Sequence, residues 1–398
     1  MKYNFDEVVS RVNTGSLKWD GIEERLGIKE KGLLPMWVAD MDLRSPQPVL
    51  DVIRKKLEHG ILGYAGGYDE YFEAIINWMK HRHQWEIEKE WIVFGGNLVS
   101  VLSRIIRTFT NPGDKIIVQS PVFPTFYHII EDNGRHVVNN PLKFNREKYE
   151  INFDDLEKKF DSKVKLMLLC SPHNPVGRVW NQNELARLGE LCIKNNVIIV
   201  SDEIHAETVF KGHNHIPFGS ISKAFSQNSI ICTSPHKAFN MAGLEISNTI
   251  IPNEQLRRSF KNMLASDGIN KPNLLGISAL IAAYTECEKW LDEVVNYCEG
   301  NYQFLCKYLK DHIPEIEVIK MEGTYLVWLN CKKLNLKDKD LEERLIKKGK
   351  LLLSQGYTFG EGGSGFVRMN IACARSTLEE ALVRFQSAIK MNDSSQNE

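Results

Sequence analysis

Two short polar stretches carry residue types that could do chemistry, and each closes an apolar run. Asp202-Glu203-Ile204-His205 closes Val197-Ile198-Ile199-Val200, and Ser234-Pro235-His236-Lys237 closes Ile230-Ile231-Cys232-Thr233. A short apolar run bounded by polar residues predicts a buried strand. We therefore expect both stretches at the carboxyl ends of strands, where open α/β sheets bind ligands.

An acid at one strand end and a lysine at the next are the groups that a pyridoxal phosphate (PLP) enzyme needs. The lysine forms a Schiff base with the cofactor, and the carboxylate pairs with the pyridinium nitrogen. Taken singly, a lysine is usually a solvated charge, and an aspartate after a strand is often a helix cap. The PLP hypothesis for Asp202 and Lys237 therefore depends on companion residues.

A glycine-containing turn after a third predicted strand has the form of an anion site. Trp91 to Phe94 predicts a strand and Leu98 to Phe109 an apolar helix, with Gly95-Gly96-Asn97 between them. Free backbone N–H groups and the helix dipole meet at such a helix N-terminus and favour phosphate. Many turns of this kind contain glycine for geometry alone, so the glycines here also have a purely structural explanation.

Two more predicted strands lead into rigid turns that contain proline. Lys115 to Gln119 leads to Phe123, and Leu166 to Leu169 leads to Asn174. Phe123 could stack on an aromatic ring or simply pack in the core, while Asn174 could donate to a bound oxygen. Because strands alternate with helices here, the pattern predicts βαβ units, a mostly parallel sheet and one shared crevice.

Composition and charge narrow the class of protein. The 398 residues include 50 basic and 51 acidic side chains, for a formal net charge of −1, so we expect no nucleic-acid or anionic-membrane surface. No signal peptide or bilayer-spanning run is expected, which favours a cytoplasmic protein. The eight cysteines are scattered without a CxxC pair and are interpreted as reduced core residues.

Two close histidine pairs are the best candidates for metal ligands. His81 with His83, and His213 with His215, lack nearby cysteine or acidic partners at ligand spacing. Loop histidines are more often solvated than metal-bound. We therefore expect these histidines to be solvated and predict no metal.

Five motifs spread along the chain form a recognisable set. They are Met36-Trp37-Val38-Ala39-Asp40-Met41-Asp42, Ser171-Pro172-His173-Asn174-Pro175-Val176-Gly177-Arg178-Val179-Trp180, Ser201-Asp202-Glu203-Ile204-His205, Glu322-Gly323-Thr324-Tyr325 and Gly365-Phe366-Val367-Arg368-Met369-Asn370-Ile371-Ala372. With these motifs the sequence resembles the fold-type I PLP enzymes of the aminotransferase superfamily. Within them it resembles the PatB/MalY branch of cystathionine β-lyase-like C–S lyases.

The resemblance implies an α/β fold with a mostly parallel sheet in a large domain and a smaller α/β C-terminal domain. We expect an N-terminal arm over 1–45, a large PLP-binding domain over 46–285 and a small domain over 286–398. The large domain would hold the cofactor, and the small domain would return its own residues to the same crevice.

The resemblance also implies roles around the cofactor ring. Lys237 would form the Schiff base, and Asp202 would pair with the pyridinium nitrogen. Asn174 would contact the 3′-oxygen, Phe123 would stack on the ring, and His205 stands where many aminotransferases carry a tyrosine. Lys237 and Asp202 are therefore the principal catalytic candidates.

For the cofactor phosphate, the resemblance implies contacts from Ser234 and from the amides of Gly95, Gly96 and Asn97. Tyr64 resembles a tyrosine that reaches the phosphate of a neighbouring subunit, which implies a homodimer with shared active sites. It is also a candidate catalytic acid near the leaving sulfur.

On the substrate side, Arg368 resembles an arginine that binds the substrate α-carboxylate, a task that suits a planar guanidinium. Trp37 and Ala39 are expected to line the substrate side of the crevice with it.

Three positions depart from the family pattern. His236 replaces a small residue before the lysine, and Glu245 stands near the place of a phosphate-binding arginine in many aminotransferases. The sequence Gly95-Gly96-Asn97-Leu98 also differs from the commoner turn of the branch. All three departures affect the expected phosphate contacts.

The function implied by the resemblance is β-elimination of a thiol from an S-substituted L-cysteine, which gives pyruvate and ammonia. The first alternative is a PLP-dependent aminotransferase, which would use nearly every residue named. The second is a PLP-binding regulatory protein that acts through a protein partner.

Overall fold

The computed structural model describes residues 3–146, 148–269 and 271–390. The outer ends of the predicted arm and of the predicted small domain lie outside these residues. The strands are β1 Leu34–Pro35, β2 Ile92–Gly95, β3 Lys115–Val118, β4 His136–Asn139, β5 Lys143–Phe144, β6 Tyr149–Glu150, β7 Val164–Cys170, β8 Ile198–Asp202, β9 Ser229–Thr233, β10 Ser247–Ile250, β11 Glu317–Val318, β12 Leu326–Asn330, β13 Leu351–Leu352, β14 Ser354–Gln355 and β15 Phe366–Asn370.

Helices separate most of these strands along the chain. They are α1 Ile22–Leu26, α2 Gln47–His59, α3 Asp69–His83, α4 Leu98–Phe109, α5 Thr125–Glu131, α6 Phe153–Lys159, α7 Gln182–Lys194, α8 Lys223–Gln227, α9 Glu254–Ser266, α10 Leu274–Glu286, α11 Glu288–His312, α12 Asp338–Lys347 and α13 Arg375–Lys390.

A seven-stranded sheet forms the larger part of the molecule, in the order β2-β10-β9-β8-β7-β3-β4. β10 runs antiparallel to both of its neighbours, and the remaining adjacent pairs are parallel. Its central strands are apolar runs because helices cover both faces of a parallel sheet. The predicted mostly parallel sheet is confirmed, and β8 and β9 end beside each other with Asp202 opposite Cys232.

A second, four-stranded antiparallel sheet is built from β11-β12-β15-β14. Its strand β12 begins only at Leu326. Thr324 adopts a left-handed conformation with φ of 68°, so extended structure starts after it. In this sheet Arg368 of β15 pairs with Trp328 of β12.

Helix ends follow local sequence signals. Gly60 follows the last residue of α2 and takes φ of 77°. Asn97 caps the N-terminus of α4, where its side chain accepts a hydrogen bond from the Val99 amide. The predicted helix over Leu98 to Phe109 is confirmed. In the part of the chain that the structure describes, no helix combines the length and apolar character needed to cross a bilayer.

Candidate active site

The two predicted strand ends place a buried acid and a buried amine in one crevice. The Asp202 carboxyl accepts a hydrogen bond from the Ile204 amide at 3.2 Å. Burial raises its pKa to about 7, against the opposing effects of that amide and of Lys237. The Lys237 amine donates to the Ala39 carbonyl at 2.7 Å, and burial lowers its pKa to about 8. The lysine therefore loses its proton far more readily than a surface lysine does.

Arg368 reaches the same crevice from the second sheet. Its guanidinium donates to Asn174 Oδ1 at 2.9 Å and to the Trp37 carbonyl at 2.8 Å. Its Nε is buried without a hydrogen-bond partner, and no carboxylate of the described residues forms an ion pair with its guanidinium. Burial lowers the pKa of Arg368 to about 10. A buried cation without a counter-ion suits an incoming carboxylate.

Residues 37–41 form a strap across this crevice, and its carbonyl groups accept hydrogen bonds from Lys237, from Tyr325 and from two side chains of β15. Besides the Arg368 contact with Trp37, the Tyr325 hydroxyl donates to the Ala39 carbonyl at 3.2 Å. The Asn370 amide donates to the carbonyls of Val38 and Asp40, each at 2.6 Å. Tyr325 and Asn370 stand inside two of the sequence motifs, but the family resemblance implies no role for either of them.

His205 lies beside the same groups and is kept neutral. Burial lowers its pKa to about 3, and the charges of Lys237 and Arg368 act in the same direction. Its ring meets Tyr325 edge-on with centroids 5.9 Å apart, and its Nδ1 has no hydrogen-bond partner. An uncharged imidazole with an unpartnered nitrogen thus faces the crevice residues.

The turn after β2 has the strand–glycine–helix form that the sequence predicts. A Cβ at Gly95 would lie 2.6 Å from Val101 Cγ2 and 2.7 Å from Ser247 Oγ, so this position has room for glycine alone. The Ser247 hydroxyl donates to the Gly96 carbonyl at 2.7 Å. Asn97 caps the helix and also donates to Glu245 Oε1 at 3.1 Å. Its side chain therefore already accepts from one of the free N–H groups at this helix N-terminus.

Ser234 and His236 are both engaged with the start of β10. The Ser234 hydroxyl donates to the Ile246 carbonyl at 2.8 Å, and His236 Nε2 accepts from the Ile246 amide at 2.7 Å. Burial lowers the pKa of His236 to about 4, which suits a neutral acceptor. His236, which departs from the family pattern, thus accepts a hydrogen bond from the backbone of its own chain. Ser234 could donate to the cofactor phosphate only if its hydroxyl proton turned away from the Ile246 carbonyl. This phosphate contact therefore stays a prediction.

Two expected cofactor contacts have other neighbours in the structure. Phe123 is half-buried and meets Phe126 edge-on at 6.0 Å, so its stacking role stays a prediction. Tyr64 is 98% exposed and lies on a cavity of about 570 Å³ between α2 and α10, with the Lys271 ammonium 5.5 Å from its ring. Within one chain, Tyr64 does not join the crevice residues.

The expectation that the paired histidines are solvated is wrong for two of the four. His83 Nε2 lies 2.7 Å from Glu207 and His215 Nε2 lies 2.9 Å from Glu203, with both side chains buried. Their carboxylate partners are 124 and 12 residues away in sequence, so spacing does not reveal them. No group of three or more potential ligands among the described residues is arranged to hold a metal.

Comparison with known proteins agrees with this geometry. The chain is 41% identical over 387 residues to cystathionine beta-lyase PatB of Bacillus subtilis (97% of this chain, 100% of the relative). It is 32% identical to protein MalY of Escherichia coli (98% and 99%). The crystal structure of cystalysin from Treponema denticola, which contains a pyridoxal 5'-phosphate cofactor, matches with a TM-score of 0.94, 36% identity and coverage of 98% and 99%.

These matches and the sheet topology confirm the predicted fold class. Residues 42–385 match the family model "Aminotransferase class I and II", a range that includes the crevice residues named above except those of the strap. The chain belongs to the aminotransferase class I and II family.

Proposed function

We propose that this protein is a PLP-dependent C–S β-lyase that eliminates a thiol from an S-substituted L-cysteine and yields pyruvate and ammonia. The observation that carries the proposal is the buried Arg368, which has no carboxylate partner among the described residues and shares a crevice with Lys237 and Asp202. Its similarity to PatB, a cystathionine beta-lyase by name, supports elimination as the reaction.

The crevice residues fit the proposed cofactor. The Asp202 carboxyl, whose one protein hydrogen bond comes from the Ile204 amide, has acceptor capacity left for a ring N–H. The Asn174 side-chain oxygen accepts a hydrogen bond from Arg368. The side-chain N–H groups of Asn174 therefore remain able to donate to the 3′-oxygen of the cofactor. Lys237 would bind the cofactor covalently, and the turn at Gly95 to Asn97 would face its phosphate. Bound there, PLP supplies an electron sink for the charge left on the α-carbon.

Different residues of this chain would bind the substrate and remove its α-proton. Arg368 would hold the α-carboxylate, and the Trp37 and Ala39 carbonyls would shape the same side of the crevice. Once the amino group of the substrate had replaced it on the cofactor, the freed Lys237 amine, readily neutral, would take the α-proton as general base. His205, uncharged, would add no competing cation beside the arginine.

We also propose a homodimer in which Tyr64 serves the partner's site. Tyr64 is almost fully exposed, and Leu57, Ile61 and Leu62 nearby are exposed as well. A contiguous exposed apolar surface favours a protein–protein contact. In the dimer, Tyr64 would reach the partner's phosphate and act as an acid near the leaving sulfur.

Two further assignments remain proposals. The two sheets lie on either side of residue 286, which supports the division into a large domain over 46–285 and a small one over 286–398. The eight cysteines are free thiols, seven of them buried. Free thiols support a reducing, cytoplasmic location.

The decisive experiment is pyruvate release from L-cystathionine by the PLP-loaded protein with no keto acid present. We expect sustained release of pyruvate and ammonia, with Lys237→Ala as the inactive control. If turnover instead requires an added keto acid and a new amino acid forms, the protein is an aminotransferase and the lyase proposal fails.

A further inference from the structure

The short 3-10 turn Gly356–Phe359, which follows β14, brings an aromatic ring against the arginine of the crevice. Phe359 is 1% exposed, and the Cζ atom of Arg368 lies over its ring, 5.0 Å from the ring centroid. A guanidinium over an aromatic face is attracted by the ring quadrupole, and the attraction is stronger where water is excluded. Phe359 therefore directly contacts the group that would bind the substrate α-carboxylate.

The register of the second sheet explains which side chains surround this ring. Trp328 of β12 and Ser354 of β14 both pair with Arg368 of β15. Residues that are paired across antiparallel strands point to the same face of a sheet. Phe359 packs against two members of this row, because its ring also meets Trp328 edge-on with centroids 5.2 Å apart. The ring thus limits the positions that the Arg368 side chain can take.

The backbone of Phe359 is bonded to the other part of the molecule. Its carbonyl accepts hydrogen bonds from the Val122 amide at 3.0 Å and from the Tyr127 hydroxyl at 3.1 Å. Val122 lies between β3 and α5, and Tyr127 lies in α5, so both donors belong to the part that is built on the seven-stranded sheet. The same segment carries Phe123, which is expected to stack on the cofactor ring. Phe359 therefore links Arg368 to the segment on the cofactor-ring side of the crevice.

The next residue shows how closely the two parts approach at this link. Gly360 takes φ of 87°, and a Cβ there would lie 2.2 Å from the Tyr127 hydroxyl oxygen and 2.6 Å from Tyr127 Cζ. Any side chain at this position would displace the tyrosine ring. Burial raises the pKa of Tyr127, so its hydroxyl keeps its proton and remains a donor to the Phe359 carbonyl.

We propose that Phe359 is a positioning residue for Arg368, that Tyr127 holds it in place, and that it thereby sets the preference of the site for substrates with a free α-carboxylate. The inference rests on the proposed function, in which Arg368 binds that carboxylate. Hydrogen bonds to Asn174 and to the Trp37 carbonyl already hold two nitrogens of the guanidinium, and the ring adds an apolar support. A guanidinium fixed in this way distinguishes a carboxylate from an uncharged group of similar shape.

The test compares the binding of glycine with that of glycinamide, which lacks the carboxylate, to the PLP-loaded protein. Neither compound has a leaving group on its side chain, so binding is followed at equilibrium by the visible absorbance of the cofactor. The dissociation constant of glycinamide divided by that of glycine measures the carboxylate preference. Phe359→Leu keeps an apolar side chain but removes the ring, and we expect this ratio to fall by about threefold to thirtyfold. Tyr127→Phe removes one hydrogen bond and should lower the ratio by about twofold.

The same chain offers a matched control for each variant. The Arg375 guanidinium lies over the Phe304 ring, 4.7 Å from its centroid, and the Tyr308 hydroxyl donates to Gln386 at 2.7 Å. Phe304→Leu and Tyr308→Phe therefore remove the same kinds of contact at positions on α11. Both controls should keep the wild-type ratio. A control that lowers the ratio as far as its counterpart overturns the inference.

A purely structural role predicts a different result, in which Phe359→Leu weakens both ligands alike and leaves the ratio unchanged. That result overturns the inference. If Phe359→Leu does not fold, as judged by thermal unfolding, Tyr127→Phe decides alone: a lowered ratio supports the inference and an unchanged ratio overturns it.

The proposed function fails in a distinguishable way. A wild-type protein that binds PLP and prefers glycine, yet releases no pyruvate from L-cystathionine, would refute the lyase reaction while the variants still test Phe359. A wild-type protein that binds PLP but does not prefer glycine to glycinamide would overturn the inference. One that does not bind PLP at all would refute both.

Discussion

The two ends of the proposed cofactor site differ in how far one chain completes them. At the ring end, Asp202, Asn174 and Arg368 are buried, and neighbouring groups of the same chain already hold them. At the phosphate end, Tyr64 is almost fully exposed, and Ser234 is bonded elsewhere in its own chain. The ring end is thus organised by folding alone, whereas the phosphate end needs a ligand, a second copy or both.

The largest effect should come from the ring end. Asp202→Asn keeps the shape of the side chain but removes the negative charge that would hold a protonated nitrogen. We expect PLP still to bind and kcat to fall by about a hundredfold to a thousandfold. Steady-state pyruvate release measures the loss, with Asp161→Asn, a surface acid paired to Lys115, as the matched control. An unchanged kcat would remove Asp202 from the mechanism.

Arg368→Lys tests the other buried charge of the ring end. Lysine keeps the charge but cannot bind a carboxylate through two parallel N–H groups. We expect kcat/KM to fall by about tenfold to a hundredfold, mainly through KM, as for the loss of a charge-assisted hydrogen bond. Arg375→Lys is the control, because Arg375 bonds Asn301 away from the strap. Equal losses in both variants would contradict the assigned role.

The pH dependence of cofactor uptake sharpens the comparison further. Burial lowers the pKa of Lys237 to about 8, so its neutral, nucleophilic form grows as the pH rises and dominates above that value. Below pH 8 the uptake rate should fall by about tenfold per pH unit. Rapid mixing of apoprotein with PLP measures the rate from about pH 6 to about pH 10. A rate that still rises steeply above pH 9 would show that the amine is not buried as described.

The smallest expected signal tests the phosphate end. In a mixed dimer of Tyr64→Phe and Lys237→Ala chains, one site carries both substitutions and the other carries neither. Because half of randomly paired dimers are mixed, about a quarter of wild-type sites should be restored. Activity is compared before and after subunit exchange. No recovery in a protein shown to be dimeric would place Tyr64 in the site of its own chain.

The placement of Asp202 and Lys237 at strand ends could be predicted from the sequence better than their surroundings, for a physical reason. Asp202 and Lys237 follow apolar runs, and a parallel sheet brings its strand ends to one edge, so local patterns suffice. Burial of His83 and His215 could not be predicted, because their partners meet them only after α3 packs beside the segment that follows β8.

The contacts of the strap could not be predicted from the sequence for the same reason. The carbonyls of Val38 and Ala39 carry no side-chain signal, and their partners Asn370 and Tyr325 are 332 and 286 residues away. The motifs in which Tyr325 and Asn370 stand were visible in the sequence, but their task was not. The roles of the site residues remain predictions that the variants above test, and the domain boundaries also remain predictions.

The strap also has a consequence for how the protein assembles. Its hydrogen bonds to Tyr325, Arg368 and Asn370 close chain loops of about three hundred residues, and contacts of such long range form slowly. A nascent or partly folded chain therefore lacks the hydrogen bond with the strap that orients Arg368. Cofactor capture in a competent geometry should be among the last events of folding, which makes it a natural checkpoint for the finished protein.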